Sequence, residues 1–286
     1  MSLCFFVSDL HGKLERYKLL FDRILVEKPE AIFLGGDLLP SGLFAFTSAP
    51  EMPEDFTVFI FDNLRALKKK LGHKYPAIFT ILGNDDGRAI ETEFLKADEE
   101  GLIIYMHDRK VKFKDFTIYG YACIPPSPFM LKDWERYDVS QYVDPGCVAP
   151  EDGSFSIKTD KKRIKYETIK KDLEKLSGDD DLSKSIFLFH SPPYQTQLDR
   201  AALDGKMIDH VPLDVHIGSI AIKRFIEDRK PLITLHGHVH ESTSITGNWK
   251  DQIKETFAMN AAHSGPELCL IRFDLNSPEN AEAELL

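Results

Sequence analysis

Five short polar motifs, each at the end of an apolar run, constrain this chain more than any other feature of its sequence. Asp9-Leu10-His11 follows Leu3–Val7, and Gly36-Asp37 follows Ala31–Leu34. Gly83-Asn84-Asp85-Asp86 follows Ala77–Leu82, His190 follows Ile186–Phe189, and Gly237-His238-Val239-His240 follows Leu232–Leu235. Short apolar runs bounded by glycine and polar residues read as buried strands. Amphipathic stretches separate them. Leu14, Tyr17, Phe21, Ile24 and Leu25 keep a helical stripe; Phe56, Ile60, Leu64, Leu67 and Leu71 keep a second; Tyr166, Ile169, Leu173 and Leu176 keep a third. Gly72 and Gly178 stand where helix stops are expected. Strands alternating with helices imply βαβ units and a largely parallel sheet. The carboxyl ends of such strands share one edge, where ligands bind. Any one motif could be an ordinary turn. In this order, and all at strand ends, they become one cluster of Asp, Asn and His, which are hard-to-borderline metal ligands.

Two regions break the alternation. Lys110–Ile124 and Glu241–Leu275 hold consecutive strand patterns without helices, which predicts a second sheet against the first with helices outside. No repeat or linker divides the chain, so 1–286 reads as a single domain. The stretch from Pro125 to Thr159, an insert at about 125–160, is proline-rich and irregular, and a loop of that length reads as a lid or substrate loop.

Charge limits the partners. Lys and Arg number 36 against 46 Asp and Glu, for a formal net charge of −10. That balance argues against stable nucleic-acid binding or adhesion to anionic membranes, which need a basic face. No apolar run approaches the ~18 residues of a membrane span. The N-terminus lacks a basic flank and a small-residue cleavage site, so no signal peptide is expected and the location reads as cytoplasmic. Cys4, Cys123, Cys147 and Cys269 form no CxxC pair, which fits reduced thiols.

The ordered set DxH, GD, GN, H and GHxH resembles the calcineurin-like metallophosphoesterase superfamily from about Leu3 to Leu275. The strings His190-Ser191-Pro192-Pro193-Tyr194, His216-Ile217-Gly218-Ser219 and Gly237-His238-Val239-His240-Glu241-Ser242 resemble one prokaryotic-type branch of it. The resemblance implies an α/β fold, a four-layer αββα sandwich of two mixed sheets flanked by helices. It also implies two divalent metal ions, with manganese, iron and zinc all compatible with the donors. Asp9, His11 and His240 would hold one, Asn84, His190 and His238 the other, and Asp37 would bridge them. The implied reaction is hydrolysis of a phosphate ester by a hydroxide held between the metals. The metals would reverse the chain's negative field locally and admit a small phosphate ester, a nucleotide among the candidates.

The family usually has a histidine after the GN asparagine that helps protonate the leaving group. Here that residue is Asp85, and Asp86 takes the usual acidic position. An aspartate beside two cations is expected to be ionised and a poor acid. His216 could compensate, because it precedes Gly218-Ser219, where a helix begins, and helix N-termini favour anions. The alternative is that Ser219 merely caps the helix and His216 sits nearby. The loop Leu38–Pro53, with Leu43, Phe44 and Phe46, could join Phe129, Trp134 and Tyr137 in an aromatic substrate wall, which makes Phe44 and Trp134 substrate-binding candidates. Both loops could instead form local core. The absent histidine tilts the expectation toward phosphodiesters. The alternatives are a phosphomonoesterase acting on a nucleotide or phosphoprotein, and a metal-binding scaffold with little activity. Oligomeric state is not legible.

Overall fold

The computed structural model describes residues 2–40 and 55–286. Leu43, Phe44 and Phe46, expected in a substrate wall, lie outside the described residues. The strands are β1 (Leu3–Val7), β2 (Ala31–Gly35), β3 (Ala77–Ile81), β4 (Ile104–Tyr105), β5 (Arg109–Phe113), β6 (Phe116–Tyr121) and β7 (Ser185–Phe189). After them come β8 (Met207–Ile208), β9 (Val211–Pro212), β10 (Ile233–His236), β11 (Lys250–Ile253), β12 (Thr256–Asn260), β13 (Cys269–Asp274) and β14 (Ser277–Leu285). They form two six-stranded sheets, in the orders β14-β13-β1-β2-β3-β4 and β11-β12-β10-β7-β6-β5, plus a small β8–β9 hairpin.

Both large sheets are mixed. β1 through β4 run parallel, with β13 antiparallel beside β1 and β14 antiparallel beside β13. β6, β7, β10 and β12 run parallel between antiparallel edges β5 and β11. The parallel strands are buried on both faces, which is why they read as unbroken apolar runs. β2 meets β7 and β3 meets β6 where the sheets face each other, and one hydrophobic core spans both. The sandwich implied by the resemblance is the fold observed.

The helices form for local reasons. Leu14–Glu27 buries Tyr17, Leu20, Phe21 and Ile24, and each such side chain contributes ~1.5–3 kcal/mol. It ends where Lys28 turns left-handed and donates its N–H to the Ile24 carbonyl. Phe56–Leu71 starts at Asp55, whose carboxylate accepts from the Thr57 and Val58 amides, and stops at Gly72. Three expectations need correction or refinement. The third stripe is shorter than its periodicity suggests: Thr168 caps a helix Ile169–Ser177, leaving Tyr166 outside it and exposed. A short helix, Ser242–Thr246, interrupts the region read as all strand. The stretch 125–159 has only isolated bridges and a 3-10 turn at Pro150–Asp152.

Candidate metal centre

The strand ends bring all seven expected ligand residues together. Asp9, His11, Asp37 and His240 form one group and Asp37, His190 and His238 another; within each, ligand atoms lie within 4.8 Å of one another, and Asp37 belongs to both. Asn84 joins the second group, with its Oδ1 3.0 Å from His190 Nε2.

Backbone contacts set this cluster. The Asp9 amide donates to the Gly36 carbonyl at 2.9 Å, His11 to Asp37 at 2.8 Å and Gly12 to Leu38 at 3.0 Å, which laces the first two motif loops together. Asp9, His11, Asp37 and His238 all take positive φ, at 56°, 46°, 50° and 70°. Non-glycine residues adopt that region at some cost, and such residues concentrate at functional sites. The motif glycines at 83 and 237 serve another need, because neither has a positive φ. A Cβ on Gly83 would sit 2.3 Å from Asp37 Oδ1, and one on Gly237 would sit 2.4 Å from Asp9 Oδ2. Both are glycine to leave room for the carboxylates.

The donor set fits divalent cations. His190 Nδ1–H donates to the Gly35 carbonyl at 2.8 Å, so in the neutral ring Nε2 carries a lone pair. That lone pair faces Asn84 Oδ1 at 3.0 Å and Asp37 Oδ2 at 3.3 Å, both acceptors. Three acceptors turned on one point need a cation or an extra proton. Without a cation the proton wins: burial opposes it, but Asp37 and its hydrogen bond push His190 up to about 10. Burial likewise opposes ionisation of Asp9, yet the hydrogen bond with His240 and the surrounding imidazoles hold it far below the usual carboxylate range. In the other group, His11 Nε2 and His240 Nε2 are 3.0 Å apart, and His240 Nε2 is 3.0 Å from Asp9 Oδ1.

Asp85 lines the cavity over this cluster but is engaged at its base. Its carboxylate accepts from Asn84 Nδ2 at 3.0 Å, which turns Asn84 Oδ1 toward His190. Its amide donates to Asp37 Oδ1 at 2.8 Å. Burial and then Asp37 push its carboxyl up to about 6 in the metal-free protein. His216 lines the same cavity. Its Nδ1 donates to the buried Asp199 at 2.8 Å, and Asp199 is itself fixed by the Gln195, Thr196 and Gly218 amides. Ser219 does cap Ile220–Arg229, accepting from the Ile222 amide, so capping and a cavity-facing His216 coexist.

Trp134 does not form a substrate wall. It is fully buried, and its indole N–H donates to the Asp86 carbonyl at 2.7 Å, so it supports the Asn84 loop from beneath. Tyr137 is buried as well, and of the three expected aromatics among the described residues Phe129 alone is exposed.

Other residues brace the site, and apart from Asp86, a member of the third motif, they carry no local sequence signal. Arg16 is buried and donates to the Asp9, His263 and Gly265 carbonyls. The buried Asp86 carboxylate accepts from the Leu38, Leu39 and Gly83 amides and fastens the Asp37 loop to the Asn84 loop. Burial, then Asp37, pushes it up to about 7. Asp199 and Asp138, which caps the same helix as Ser219, are equally silent in the sequence. Only the geometry of distant amides identifies them.

A calcineurin-like phosphoesterase family model matches residues 4–242. Among solved structures, one 16% identical to this chain aligns over 99% of it and 98% of its own length, with a TM-score of 0.59. The protein TT1561 of Thermus thermophilus is 16% identical, covering 99% of this chain and 98% of its own, with a TM-score of 0.54. A dimetal phosphatase from Danio rerio is 10% identical, covering 94% of both chains, with a TM-score of 0.50. At these identities the likeness concerns the fold. No curated protein sequence matches the chain.

Proposed function

The chain belongs to the calcineurin-like phosphoesterase family, and from that premise we propose that it hydrolyses phosphate esters with two divalent cations, phosphodiesters ahead of phosphomonoesters. The observation that carries this reading is the Asp37 carboxylate shared between two groups of candidate ligand atoms, in one of which His190 Nε2, Asn84 Oδ1 and Asp37 Oδ2 face one another as acceptors. Asp9, His11 and His240 would hold one cation, and Asn84, His190 and His238 the other, with Asp37 contributing to both. When bound, the pair supplies activation of water and neutralisation of phosphate charge.

The rest is work for side chains of the chain. Asp85 orients the Asn84 amide and places a carboxyl on the cavity wall. A dianionic monoester meets that wall less favourably than a monoanionic diester. His216, fixed through Nδ1 by Asp199, would act in its imidazolium form, giving the Nε2 proton to a departing oxygen and returning to the neutral ring. A general acid there is worth ~10²–10⁴ for basic leaving groups. Asp199 acts through His216 as a positioning residue.

The test is turnover of matched aryl phosphate monoesters and diesters by manganese-loaded protein, with phosphate or alcohol release as readout. Saturable diester hydrolysis lost in Asp37→Ala supports the reading. Complete inactivity of protein shown by elemental analysis to hold two cations would sink it in favour of a scaffold.

A further inference from the structure

The cavity above the cluster has a composition that the phosphate chemistry does not require. It holds about 520 Å³, room enough for a small organic group beside a phosphate. From His11, Asp37 and Asn84 it opens outward between Phe129, Val139, Tyr142, Leu203, Ile208 and Leu213. Asp144, Asp214 and Glu241 also line it, and among the described residues no lysine or arginine does. The sequence from 41 to 54, outside the described residues, contains none either.

Three of the flanking basic side chains are committed elsewhere. Lys132 pairs with Glu135, Arg136 with Glu167, and Arg200 with Asp204. The cavity carboxylates are met by neutral groups instead. Asp214 accepts from the His216 amide and the Tyr194 hydroxyl, and Glu241 accepts from the Ala202 amide. Burial, then Asp214, raises the Asp144 carboxyl, so those two sense each other. Phosphate-binding pockets that take a second anionic group usually offer it a cation or a bidentate arginine. This one offers apolar surface and uncompensated negative charge.

Resting on the phosphoesterase reading, we infer that the substrate is a phosphate ester whose organic group is apolar and carries no negative charge of its own. The cavity thereby selects against nucleoside polyphosphates, nucleic-acid strands and esters bearing a carboxylate.

Two 4-nitrophenyl phosphodiesters test this, one with a propyl and one with a 2-carboxyethyl second group. Phosphorus and leaving group are the same, so a rate difference reports the cavity. With manganese-loaded protein, kcat/KM for the carboxyethyl ester should be lower by about tenfold or more, as like-charge juxtaposition predicts. Leu203→Lys should narrow the gap by raising the carboxyethyl ester selectively. Parity between the esters, or a gap that Leu203→Lys leaves unmoved, overturns the inference. If neither ester turns over, the enzymatic reading fails by itself. Calorimetric binding of propylphosphonate against 2-carboxyethylphosphonate then decides the inference, which falls unless propylphosphonate binds more tightly.

Discussion

The floor and the mouth of the cavity are built by opposite means. The floor comes from the ends of β1, β2, β3, β7 and β10, with Asp9, His11, Asp37 and His190 held by backbone hydrogen bonds and close-set glycines beside them. The mouth comes from segments 125–147 and 201–217, which contain no helix and only the β8–β9 hairpin. The floor concentrates polar donors, whereas the mouth is largely apolar and acidic. Reaction type is therefore tied to the sheet, and substrate choice to irregular chain that can change without disturbing it.

The sharpest way to break that division is Asp37→Ala. No other described residue belongs to both ligand groups. Activity should fall for every substrate alike, by roughly 10³-fold or more if paired cations carry the charge stabilisation. A loss confined to some substrates, in a series of aryl and alkyl esters, would show that floor and mouth are not separable.

His216→Ala should sharpen it, because His216 belongs to a mouth segment yet lines the same cavity as the candidate ligands. Basic alkoxide leaving groups should slow by ~10²-fold or more, while 4-nitrophenolate is spared. Asp199→Asn should reproduce the pattern more weakly. Equal slowing across the leaving-group series would instead mark His216 as structural.

A smaller effect is expected from Asp85→Ala, which frees the Asn84 amide to rotate. Loss of an orienting partner typically costs ~10–100-fold in metal affinity. Titration with manganese, followed by electron paramagnetic resonance, should show one of the two sites weakened. Unchanged affinity at both would mean that Asn84 needs no such support.

The smallest is Trp134→Phe. It removes the hydrogen bond to the Asp86 carbonyl and leaves a buried acceptor unpaired, at a cost of ~1–3 kcal/mol in unfolding stability. Denaturant titration measures this. KM for aryl diesters should not move, since the ring does not line the cavity. A raised KM would return Trp134 to the substrate wall.

The uneven legibility of the sequence follows from the same division. Strands buried on both faces announce themselves as apolar runs, and ligands at their ends inherit that signal. Thus the β1 run and Asp9 can be found together, as can the β10 run and His238. Arg16 acts on the distant His263 and Gly265 carbonyls and Asp138 on the distant Ile220 and Ala221 amides, and their own neighbours in the chain say nothing of it; Asp86 stands in a motif, but its bonds to the Leu38 and Leu39 amides are not legible there. Aromatic content alone misleads at Trp134, because a large ring in a loop fills core as readily as it lines a cavity. Periodicity overruns at Tyr166 because Thr168, three residues before the Lys171 amide it caps, ends the reading frame of the helix.

β1 lies between β2 and β13, with Leu3 opposite Asp274. During synthesis the first strand can find one neighbour early, but the other only when nearly the whole chain has been made. His238 and His240, the last of the ligand candidates, follow Asp37 by some two hundred residues. At ~5–20 residues per second, the ribosome needs on the order of 10–40 s to span that interval. For that time Asp9, His11, Asp37 and Asn84 exist as a fragment of a site beside an unpaired strand edge. A newborn chain therefore completes its candidate ligand set late, and a premature stop between β7 and β10 leaves an exposed edge that other chains can join.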